Sequence, residues 1–126
     1  MRYFYLFILL LFTQCAGGTP EYKVARQFID SYYVMADQNA ALNWTEDNAK
    51  LKIDQEIELL TGVEGKQSAY KARDIEFQML KEMPESEETN FLFELSIHIV
   101  NAELVKKNVA ITVDKNSQKV KFFGEI

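Results

Sequence analysis

The chain is poor in the residues around which active sites are usually built. Of its 126 residues one is cysteine, one is histidine, one is tryptophan and two are proline. A single cysteine excludes an intramolecular disulfide and any cluster of cysteine ligands. A lone histidine with no cysteine partner leaves no ordinary transition-metal set, so neither a metal nor another cofactor is expected. Glycine is scarce as well, and none of the five lies in a phosphate-cradling loop or a serine elbow. Blocks of lysine or arginine are missing and the net charge is −5, a surface that repels phosphate backbones, so nucleic acid is excluded as a partner. Long apolar runs are also lacking. The longest, "YFYLFILLLF" from Tyr3 to Phe12, has only about half the ~20 residues of a spanning helix.

That run follows a basic start, Met1-Arg2, and leads into the small residues Ala16, Gly17 and Gly18. A short basic region, a brief apolar stretch and a small-residue exit describe a secretory signal over residues 1–14. The only thiol, Cys15, then stands at the boundary. Leu11-Phe12-Thr13-Gln14-Cys15 resembles a relaxed lipobox of bacterial lipoproteins, with Phe12 and Gln14 where the common pattern has leucine and a small residue. The resemblance implies removal of residues 1–14 and a diacylglyceryl group on Cys15. Residues 15–20 would be a short tether and 21–126 a single domain of about 100 residues, enough for one core. Lipid chains would supply the membrane attachment, since no basic block offers an electrostatic one. Ala16 behind the cysteine, rather than aspartate, resembles an outer-membrane sorting signal in bacteria with two membranes.

Beyond Pro20 the period of apolar residues is that of helices. Val24, Phe28, Tyr32 and Met35, widened by Ile29 and Tyr33, form one stripe, with Pro20 in the first turn. "DQNAAL" breaks the pattern. Ala49, Ile53, Ile57 and Leu60 form a second stripe, with Asn43 or Thr45 as N-cap, Glu46 and Asp47 in the first turn and Gly62 as the stop. After "GVEGKQ" the period falls to two. Ile75, Phe77 and Met79 mark a strand ended by Pro84. Phe91, Phe93, Leu95, Ile97 and Ile99 mark the clearest strand, with Leu92, Glu94, Ser96, His98 and Val100 on its other face. Val109, Ile111 and Val113 make a third, and Val120 and Phe122 a fourth.

Two helices ahead of a four-stranded antiparallel meander define an α+β domain, because a sheet with one apolar face needs a helical layer over it. This order resembles the nuclear transport factor 2-like superfamily, whose N-terminal helices fill the mouth of a strongly curved sheet to form a cone. A cystatin-like fold is the alternative, and two separate helices count against it. "ARQFIDSYYVMADQNAALNW" is similar to the opening of small lipoproteins with the first of these folds.

Candidate chemistry is thin. His98, with Glu94 and Ser96 on its face, could pass for an oriented base, but the apolar residues of its strand own the core side, which directs it to solvent or a sheet neighbour. Tyr32 and Tyr33 with Asp30 matter because enzymes of the resembled superfamily place such residues inside the cone; as packing residues their hydroxyls would find backbone partners. Glu85, Glu87 and Glu88 lack the alternating ligands and central glycine of a calcium loop and read as a solvated turn. No catalytic residue is assigned, and the chain reads as a membrane-anchored envelope module that binds a protein, another envelope component or an apolar ligand. The alternative is a small enzyme using the interior of the cone.

Overall fold

The computed structural model describes residues 18–60, 74–98 and 103–126, the side chain of Leu60 excepted. The signal, Cys15, the Gly62 stop, the "GVEGKQ" loop, Ile99 and Val100 lie outside the described residues.

Thr19 opens the first helix. Its extended backbone turns the chain into Pro20–Ile29 (α1), and its hydroxyl accepts the Tyr22 N–H at 3.2 Å, which satisfies one of the orphan donors of the first turn. Thr19 and Pro20 are therefore the cap and first residue of α1. Val24, Ala25, Phe28 and Ile29 are buried as the stripe requires. The helix then widens into a π segment over Asp30–Val34, closed by Met35 N–H to Asp30 C=O at 2.8 Å. The wider turn changes the phase of the stripe. Tyr32 and Tyr33 are both half-buried, while Met35, expected on the stripe, is 57 % exposed.

Ala36 stops the helix in the left-handed region, at φ 51°. Where the break was expected, a short additional helix follows, Gln38–Leu42 (α2), capped by the Asp37 carboxylate accepting from Ala40 N–H at 3.0 Å. The next helix is Asp47–Leu60 (α3), later than an Asn43 or Thr45 cap would allow. Asn43 instead ends α2, and Thr45 donates its hydroxyl to Leu42 C=O at 2.9 Å. Ala49 and Ile53 of α3 are buried and Ile57 is half-buried.

The strands Asp74–Pro84 (β1), Glu88–His98 (β2), Val105–Asp114 (β3) and Val120–Glu125 (β4) form one antiparallel sheet in the order β1-β2-β3-β4. β2 alternates without interruption, burying Thr89, Phe91, Phe93, Leu95 and Ile97. The helices cover this face and Phe28 packs on Phe123, ring centres 4.8 Å apart.

Two bulges alter the expected faces. Met79 faces Phe93 and Lys81 faces Leu92, which leaves Leu80 as an extra residue in β1; Met79, near this break on an edge strand, is exposed rather than buried. Val113 faces Val120 but Thr112 faces Phe122, so Lys121 is the extra residue in β4. Parity flips there: Phe122 is 51 % exposed and Phe123, 3 % exposed, takes the core position. At the edges of the sheet, Trp44 and Glu46 bond to Val120 and close the start of β4, whereas among the described residues β1 pairs with β2 alone.

Candidate functional site

An assembly of interacting polar and aromatic side chains gathers around Tyr32. Tyr32 and Tyr33, both within the π segment, are half-buried against the body of the protein. The Tyr32 ring stacks on Phe28 at 5.5 Å and meets Phe123 and Tyr33 edge-on at 4.9 and 4.7 Å. Its hydroxyl donates to the Glu56 carboxylate of α3, 2.6 and 2.7 Å from the two oxygens. Lys52, one turn earlier, holds its ammonium 4.3 Å from the centre of the Phe123 ring.

Burial, followed by the hydrogen bond to Glu56 and that residue's charge, raises the Tyr32 hydroxyl far above the ordinary phenol range. Tyr33 is raised by burial first and then by the charges of Glu125 and Glu56. Phenols that hold their protons so firmly are donors, not bases, and Glu56 already accepts from one of them. The arrangement ties the end of the first helix to α3. It leaves no unoccupied acid–base pair.

No family model matches the chain, and no curated protein or solved structure is significantly similar to it.

The remaining sequence candidates are dispersed. Asp30 is exposed at the end of α1 and does not join Tyr32, whose hydroxyl finds a carboxylate where a backbone partner was expected. His98 is exposed at the last position of β2, opposite Asp74. Its supposed partner Glu94 is engaged elsewhere, accepting from Gln78 at 3.2 Å and pairing with Lys106 at 3.6 Å. Glu85 and Glu87 lie in the β1–β2 turn, and Glu88, first residue of β2, pairs with Lys121. Among the described residues no three His, Cys, Asp or Glu side chains converge as a metal site would require.

Lys121 also lines an open groove of about 370 Å³ with Asp47, Asn48, Glu88, Thr112 and Phe122. The hydrogen bond to Glu88 holds its ammonium above the usual lysine range, and Asp114 stands 4.0 Å away. Asp114 is itself held below the usual carboxyl range by the backbone N–H groups of Ser117 and Asn116.

Glu56, Lys52 and Phe123 went unnoticed in the sequence. Glu56 borders the apolar stripe beside Ile57, which is the one local sign that it faces a partner. Its pairing with Tyr32 depends on how the two helices meet, and no spacing within either helix encodes that.

Proposed function

We propose that this chain is a bacterial envelope lipoprotein, exported by residues 1–14, acylated on Cys15, and working as a non-catalytic interaction module on a nuclear transport factor 2-like domain. The observation that carries the reading is the position of the only cysteine. It stands three residues past the end of the apolar run at Phe12 and four before Thr19, the cap of α1. A lipid placed there attaches to the fold through a very short link and disturbs none of the contacts described. The non-catalytic part is supported by the interior: Phe28, Phe91, Phe93 and Phe123 are buried between helices and sheet, and the Tyr32–Glu56 pair is used up in holding two helices together. The module's partner would be another protein, an envelope component or an apolar ligand.

Metabolic labelling with a palmitate analogue tests the anchor. The wild-type protein should incorporate the label and fractionate with membranes, and Cys15→Ala should lose the label and remain unprocessed or become soluble. A mature terminus beginning after Cys15 and carrying no lipid would overturn the reading.

A further inference from the structure

The first helix starts at one particular end of the sheet. Thr19 donates its hydroxyl to Glu82 of β1 at 2.9 Å, and Glu21 accepts from Gln118, in the β3–β4 turn, at 3.2 Å. That end carries the β1–β2 and β3–β4 turns, and they are joined: Lys115 N–H donates to Glu87 C=O at 2.9 Å. The β3–β4 turn is braced further by Asp114, which accepts from Asn116 and Ser117 N–H, and by Ser117, which donates to Glu46 at 2.6 Å just ahead of α3. The entry of the chain is pinned as well. Gly18 has φ 69°, and a Cβ there would fall 2.8 Å from Tyr22 Cδ1, so the backbone lies against that ring. Four residue steps separate Thr19 from Cys15, a reach of at most about 14 Å. Along the strands the molecule is longer than that: the eleven residues of β2 extend over about 30 Å.

We infer that the end of the sheet bearing the joined β1–β2 and β3–β4 turns is the membrane-facing end of the anchored protein, and that the opposite end, with Tyr32, Tyr33, Glu56 and the start of β3, is carried outward. The inference rests on the acylation of Cys15 proposed above, and its ligand is the lipid surface itself. The tether imposes the contact; charge does not attract it. Glu82, Glu85, Glu87, Glu88 and Asp114 outnumber Lys115, Lys119 and Lys121 at this end, so anionic headgroups repel it and zwitterionic ones do not. Repulsion of an acidic body also disfavours its lying flat on an anionic bilayer.

Full-length, processed protein suits the test, because acylation consumes its only thiol and a new cysteine can be labelled alone. Asn116→Cys, in the β3–β4 turn, and Lys106→Cys, near the start of β3, would each carry a fluorophore in protein reconstituted into phosphatidylcholine vesicles doped with a nitroxide-headgroup lipid. The Asn116 label should be quenched several-fold more than the Lys106 label. Adding phosphatidylglycerol should weaken that quenching, and salt should restore it. Equal quenching at both sites, or stronger quenching at Lys106, overturns the orientation while the protein still floats with the vesicles. Failure to float overturns the anchor and the orientation with it, so the two failures are told apart by flotation. Matching urea midpoints for both variants and wild type show that the label sites have not altered the fold.

Discussion

Phe93 and His98 share a strand and differ in what decides the cost of losing them. Phe93 is fully buried and touches the rings of Phe77, Phe91 and Tyr22, so Phe93→Ala should cost about 3–5 kcal/mol in urea denaturation. His98→Ala should change stability by no more than about 0.5 kcal/mol. The bulge at Lys121 sets up a sharper comparison between neighbours: Phe123→Ala should resemble Phe93→Ala, and Phe122→Ala should cost about 1 kcal/mol or less. Equal losses would mean that β4 keeps the uninterrupted alternation read from the sequence. Tyr32→Phe removes the donor to half-buried Glu56 and should cost about 1 kcal/mol at neutral pH. The hydroxyls of Tyr32 and Tyr33 have folded-state pKa values above the unfolded one, so their contribution is fully present below about pH 10 and declines as pH rises beyond it. The urea midpoint should therefore fall in that alkaline range, and less steeply in Tyr32→Phe.

At the level of elements, the lesson concerns phase. Ala49 and Ile53 fall where the helical stripe of α3 puts them, and every described residue of β2 alternates as its spelling suggests. Errors begin where one residue is inserted into a regular element. The π segment exposes Met35, the extra Leu80 falls beside exposed Met79, and the extra Lys121 exchanges Phe122 for Phe123. None of these insertions has a glycine or proline within it to mark it. The stop after the π segment is similarly unmarked: Ala36 holds a left-handed conformation that L-residues adopt at a cost. Ala36→Gly should raise stability by roughly 0.5–1 kcal/mol, read as a higher urea midpoint. No change, or a loss, would mean that contacts of the Ala36 methyl outweigh the backbone strain. The Tyr32–Glu56 pair was illegible for a related reason, because it joins residues 24 apart through helix packing.

For the whole molecule, Thr19 supplies the cap of the first helix and a bond to β1, so a fragment starting at Thr19 should unfold in one cooperative transition without membrane or reductant. Broad, probe-dependent unfolding would show that the preceding residues belong to the fold. The unequal edges of the sheet bear on how copies of the chain behave at high concentration. Trp44 and Glu46 occupy part of β4's outer side, but β1 presents a row of backbone donors and acceptors with no described partner. A flat row of that length would template strand addition from a neighbour and grow into fibrils. In β1 the extra Leu80 interrupts the ladder midway, charged Lys81 follows it, and Pro84 removes the last donor. Deleting Leu80 together with Lys81→Ile should restore an uninterrupted edge with one charge fewer, and light scattering should then show more concentration-dependent polymer than the wild type at equal concentration. If the double change scatters no more light than the wild type, the bulge serves packing alone.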